Sequence, residues 1–113
     1  MSRLDHEEEI SLDRIVRREA CEGRHNGLRI ECTWVNGDRF IVTYGYWFAA
    51  AYCNQTDKWF VRETNNASSA ALNIFTASLE RVTLAEVVTL DVLQGISVHG
   101  YPYVVKRRMG IVA

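Results

Sequence analysis

The sequence predicts a single α+β domain over residues 1–113: an N-terminal helix, a three-stranded antiparallel meander, then one or two helices and a short C-terminal β segment. Three observations carry this expectation. Apolar residues recur at helical spacing before residue 25 and again after residue 66. Between them, residues 28–62 alternate apolar and polar side chains between turn signals. The chain has 113 residues, 48% hydrophobic and 24% charged, which is enough for one core without disulfides or a metal.

Residues 3–24 read as the first helix. Ser2-Arg3-Leu4-Asp5 fits a capping box, with Ser11 as a later start. Leu12, Ile15, Val16 and Ala20 keep one apolar face. Glu7, Glu8 and Glu9 lie where the helix dipole favours negative charge, and Arg17, Arg18 and Arg24 where it favours positive charge. Asn26-Gly27 then ends the helix.

The meander follows. Leu28, Ile30, Cys32 and Trp34 alternate with Arg29, Glu31 and Thr33, as in a half-buried strand. Asn36-Gly37 signals a hairpin. Parity favours a loop of three residues, Asn36 to Asp38, or of two residues plus a bulge, because the odd count pairs Trp34 with Phe40, Cys32 with Val42, Ile30 with Tyr44 and Leu28 with Tyr46. A slip of one residue would reverse the faces. The second strand runs from about Arg39 towards Tyr52, with Gly45 marking a bulge or bend. Asn54 to Lys58 turn the chain into a third strand, Trp59 to Arg62.

Residues 67–80 read as a helix with a stripe of Ala71, Leu72, Phe75, Leu79 and Val82. Thr83-Leu84-Ala85-Glu86 fits a capping box for a further helix over 84–94 that stops at Gly95, although Val87, Val88, Thr89 and Val92 also suit a strand. Residues 96–99 and 103–108 read as short strands around Gly100-Tyr101-Pro102.

Composition narrows the function. The formal net charge of −1 gives no global attraction to nucleic acid or anionic lipid. No stretch is long and apolar enough to cross a membrane, and the acidic N-terminus is unlike an export signal. The expected location is therefore the cytoplasm, with Cys21, Cys32 and Cys53 as free thiols and no cofactor. Cys21, His25 and Cys32 lack metal-site spacing, so no metal is expected. Cys53 and His99 lack the context of an activated thiol, and Ser68-Ser69 that of a nucleophile elbow. The expectation is a protein that is not an enzyme.

What remains is an aromatic surplus. Nine of the twelve aromatic residues lie within 34–60, and Tyr46, Trp47 and Phe48 are consecutive. On the expected register Trp34, Phe40, Tyr44, Tyr46 and Phe48 face the helices. Trp47, Ile41, Trp59 and Val61 face the other way. A helix on the second face, a bulge at Gly45, or a partner would each cover them. The third option makes Trp47, Trp59, Arg39 and Arg62 a partner-binding patch, since Trp and Arg dominate binding hot spots. The partner is another protein or a second copy of the chain.

In composition, "TYGYWFAAAY…KWFVRETNNASSAALNIF" resembles small accessory proteins of phages and plasmids. The likeness transfers no functional residue. It implies a compact inhibitor encoded by a phage or mobile element, of the anti-defence or anti-CRISPR type, that blocks a host protein complex. The alternative is a small nucleic-acid-binding regulator. Tyr101 and Tyr103 would stack on bases, and Lys106, Arg107 and Arg108 would follow the backbone.

Overall fold

The computed structural model describes residues 9–65 and 68–100. Its centre is a six-stranded mixed sheet rather than a three-stranded meander. A short helix α1 (Leu12–Val16) leads into β1 (Cys21–His25), β2 (Leu28–Val35), β3 (Arg39–Tyr44), β4 (Trp47–Cys53) and β5 (Lys58–Arg62). Helix α2 (Ala70–Thr83), β6 (Glu86–Val88) and helix α3 (Leu90–His99) follow. The strands lie in chain order; β1 to β5 are antiparallel, and β6 joins β5 in parallel after the α2 crossover.

The expected N-terminal helix over residues 3–24 is overturned: among the described residues only Leu12–Val16 is helical, Ser11 is extended, Glu9 bridges Arg24, and Cys21–His25 is a strand. Helix α1 ends by Arg17, and Arg18 takes a left-handed φ of 59°. Asn26-Gly27 is a hairpin loop and not a helix stop. Both residues have positive φ, 52° and 82°, and His25 pairs with Leu28 across them. Asn-Gly is the pair best suited to a type I′ turn, so a local hairpin outweighs the helical periodicity of residues 12–20.

The β2–β3 register is the one that parity demands. Trp34 pairs with Phe40, Cys32 with Val42 and Ile30 with Tyr44 across the loop of Asn36 to Asp38. The expected fourth pair, Leu28 with Tyr46, does not form. Gly45, at φ +61°, opens a two-residue loop with Tyr46, and Tyr44 pairs with Trp47. The expected single strand from 39 to 52 is thus two strands. A bulge shifts their register between Val42 and Thr43, because Val42 pairs with Ala50 and Thr43 with Phe48. Ala49 is the extra residue.

Helices cover both faces. Phe40, Val42, Tyr44, Tyr52, Trp59 and Val61 pack with Leu72, Phe75 and Leu79 of α2 and Ile15 of α1. On the opposite face Ile41, Ala51, Cys53 and Phe60 pack with Val88 and with Leu93 and Ile96 of α3. Trp59 and Val61, and Trp47 through its pairing with Tyr44, therefore belong to the α2 side, contrary to expectation, while Ile41 lies on the second face as expected. Phe48 also packs on the α3 side, and Tyr46 is fully exposed. Gly45 ends the alternation before Tyr46, and the bulge re-aims Phe48.

The remaining corrections lie in the C-terminal half. Ser69 caps α2 through Leu72 N, and Leu84 ends it in a left-handed conformation (φ 55°). Thr83 to Glu86 therefore cannot cap a following helix. Val87 and Val88 extend beside Val61 and Arg62 as β6. Thr89 caps α3 at Val92 N, and Gly95 lies within that helix, which also takes up residues 96–99. The expected strand at 103–108 lies outside the described residues. Among the described residues, no helix is long and apolar enough to cross a membrane.

Candidate functional site

The four residues expected to form one partner patch separate into two positions and two roles. Trp59 is 7% exposed and packs in an aromatic cluster, with ring centroids 5.5 Å from Tyr52 and 6.2 Å from Phe40. Arg39 is also buried. It pairs with Cys53, the last residue of β4, whereas Trp47 is the first, so the two stand at opposite ends of that strand.

Every nitrogen of the Arg39 guanidinium has a partner. Nε donates to the Ser97 carbonyl at 2.6 Å, Nη2 to the Val98 carbonyl at 2.8 Å, and Nη1 to Asp38 Oδ1 at 2.7 Å. The carbonyls belong to the last turn of α3, which carries the negative end of the helix dipole. Arg39 thus clamps α3 onto the sheet.

Trp47 and Arg62 do come together. They line one pocket of about 550 Å³ with Asn65, Ser68, Ser69, Leu72 and Leu90. Trp47 reaches it from the start of β4, Arg62 from the end of β5, Ser69 from the N-cap of α2 and Leu90 from the start of α3. Beside it, Trp47 is 44% exposed, Tyr46 is fully exposed and Leu28 is 37% exposed. A Cβ built on Gly45 would lie 3.6 Å from the Trp47 ring and 3.8 Å from Leu28 Cδ2, so these side chains flank the same turn.

Arg62 is as buried as Arg39, at 5% exposure, but is differently partnered. Its Nη2 donates to Ser68 Oγ at 3.1 Å. Its Nε and Nη1 are buried without a hydrogen-bond partner among the described residues. Desolvation lowers its pKa from the usual arginine range, and neighbouring Glu63 acts in the opposite sense. The rest of the polar wall is already engaged. Ser68 N and Oγ donate to Asn65 Oδ1 at 3.0 and 3.4 Å, and Ser69 Oγ accepts from Leu72 N at 3.1 Å.

Sequence reasoning missed the Ser68-Ser69 side of this pocket. The available signal was Asn65 three residues before Ser68, the spacing of a side-chain-to-backbone turn, followed by a serine N-cap.

The other candidates have structural surroundings. Cys21 pairs with Cys32 across β1 and β2, and burial first, then Cys21, pushes the Cys32 thiol far up. His25 stands at the other end of β1, its ring 5.1 Å from Phe75 and its Nδ1 3.3 Å from Glu9 Oε2. Among the described residues, no group of three His, Cys, Asp or Glu side chains is arranged to hold a metal ion. Cys53 is 3% exposed in the apolar α3-side cluster, and His99 ends α3 at the surface. Tyr101, Tyr103, Lys106, Arg107 and Arg108 lie outside the described residues. No family model, curated protein or solved structure matches the chain.

Proposed function

We propose that this chain is a non-enzymatic binding protein that docks a protein partner at the end carrying Leu28, Tyr46, Trp47 and the Arg62 pocket. The observation that carries the reading is the juxtaposition of Trp47 and Arg62: an exposed indole beside a buried, incompletely partnered guanidinium on an open pocket. At Arg62 desolvation outweighs the neighbouring Glu63, so this buried cation is costly in the free protein, and a partner that supplies an anion reduces that cost. The reading therefore commits to a partner protein that presents an acidic group next to apolar side chains. Inhibition of a host complex by a phage- or mobile-element-encoded protein is the blocking form of this activity, and the compositional likeness of residues 43–52 and 58–75 is what supports it.

The test is capture from host lysate, followed by calorimetry with the identified partner as purified protein. Binding should weaken at least tenfold with Trp47→Ala and with Tyr46→Ser, while both variants remain folded. Unchanged affinity in both sinks the reading. Light scattering with absorbance at 260 and 280 nm supplies the contrast. A stable dimer broken by Trp47→Ala would make the surface a self-interface, and salt-sensitive co-elution of nucleic acid would favour the regulator.

A further inference from the structure

We propose that the Arg62 pocket is a receptor for a polypeptide carboxylate that stands next to an apolar side chain. This deepens the docking reading and rests on it for the source of the anion. The inference is carried by two independent features of one cavity. The first is Arg62, a residue 5% exposed, with Nε and Nη1 buried and unpartnered and only a neutral hydroxyl on Nη2. The second is the start of α2. Ser69 Oγ serves Leu72 N, and the preceding first-turn N–H groups of Ala70 and Ala71 precede any intrahelical acceptor. The helix dipole adds positive potential at the same place.

The cavity walls select among anions. One guanidinium and one helix start suit a monoanion, whereas phosphate dianions are commonly held by several cations or a nest of backbone N–H groups. Trp47, Leu72 and Leu90 form the apolar part of the wall. A volume of about 550 Å³ lies within the range of small-ligand pockets, room for a carboxylate with its adjoining side chain. The carboxylate accepts from the Arg62 fork, Nη2 beside Ser68 together with a shift of the side chain that brings the buried, unpartnered Nε or Nη1 to the cavity, and from the α2 first turn, while the apolar side chain lies against the indole. Two sources share this chemistry: a chain terminus and an internal Asp or Glu.

The experiment is a titration of the isotope-labelled full chain, observed by NMR at Arg62 Nε–H, the Ala70 and Ala71 amides and Trp47 Nε1–H. The probes are acetyl-Gly-Leu-Leu with a free terminal carboxylate, the same peptide as its amide, acetyl-Leu-Glu-Leu-amide, and inorganic phosphate at matched ionic strength. The expected result is saturable shifts at all four positions with one or both carboxylate peptides, and at least tenfold weaker binding of the amide. The terminal peptide alone would assign a chain terminus, and the Glu peptide alone an internal acid. Arg62→Met should abolish the shifts and Arg62→Lys should weaken them at least tenfold, because lysine keeps the charge but loses the planar fork. Equal binding of the amide, saturation by phosphate alone, no saturable shift, or full binding by Arg62→Lys would each overturn the proposal. Its failure is distinct from failure of the docking surface: the surface stands, without the acidic group, if Trp47→Ala still weakens binding to the identified partner at least tenfold.

Discussion

Arg39 Nε donates to the Ser97 carbonyl oxygen at 2.6 Å, tying the first residue of β3 to the last turn of α3. Arg62, equally buried, has no carbonyl or carboxylate partner on Nε or Nη1 among the described residues. The same side chain thus serves as a clamp in one place and as a desolvated charge with two unpartnered nitrogens in the other. Stability measurements separate the two. Arg39→Met leaves the Ser97 and Val98 carbonyls without their donor, and should cost ~2–4 kcal/mol. Arg62→Met removes a desolvated charge and should be neutral or stabilising, as substitutions at binding residues often are. Urea midpoints of the two variants check this. Equal destabilisation by both would make Arg62 structural.

The two tryptophans should separate in the same way. Trp59 is buried with Phe40, Tyr52 and Val61, so Trp59→Ala opens a large cavity and should cost ~3–5 kcal/mol. Trp47 is 44% exposed, and Trp47→Ala should cost roughly 1 kcal/mol or less. Thermal unfolding of both variants gives the comparison. A large loss with Trp47→Ala would place its indole among the supports of the fold.

The contrast between these residue pairs shows what was legible in the sequence. The Asn36–Asp38 loop and the register of Trp34 with Phe40 followed from parity, because a hairpin register is a local property. Ile41 was assigned to the second face by the same alternation. Trp59 falls on the other face from the one expected because the β4–β5 turn has four residues, Asn54 to Asp57, and pairs Trp59 with Tyr52, whereas a turn running to Lys58 sets it opposite Cys53. Asn26-Gly27 suits both a helix stop and a type I′ loop, and the pairing of Cys21–His25 with β2 decided between them. The pocket was half legible. Trp47 and Arg62 stood out by residue type, but only the crossover from β5 through α2 brings Ser68 and Ser69 beside them.

Gly45 offers a test of why β3 and β4 part. Its φ of +61° is strained for any residue with a Cβ, although the space beside it holds only ordinary contacts with Trp47 and Leu28. Gly45→Ala should therefore destabilise the chain by ~1 kcal/mol through backbone strain. Gly95 lies within α3, and Gly95→Ala should be neutral or stabilising by ~1 kcal/mol. The denaturation midpoint should fall with Gly45→Ala and hold or rise with Gly95→Ala. A shift of both towards lower denaturant would contradict the helical assignment of residue 95.

The thiols should react in order of burial. Cys32 and Cys53 are each 3% exposed, and burial holds the Cys32 thiol protonated by pushing its pKa far up. Cys21 is partly exposed. In native buffer a thiol reagent should modify Cys21 first, and the other two only on unfolding. Peptide mapping after brief alkylation tests the order. Prior modification of Cys53 would mean that the α3 side opens without global unfolding.

Alkali should unfold the protein through two tyrosines. Burial raises the pKa of Tyr44, whose hydroxyl donates to the His25 carbonyl at 3.0 Å. The hydrogen bond to Asp57 first, and then burial, raises that of Tyr52. Below about pH 10, the value for an unfolded chain, both states keep these protons and the tyrosines add no pH dependence. Above it, the unfolded chain releases protons that the folded protein retains. Stability should therefore fall as pH rises from about 10 until the folded tyrosines ionise. Urea unfolding at stepped pH, with phenolate absorbance followed in parallel, measures the slope, and Tyr44→Phe and Tyr52→Phe should each reduce it. A flat profile through pH 11 would mean that both hydroxyls ionise as readily in the folded protein as in the unfolded chain, contrary to their burial and hydrogen bonding.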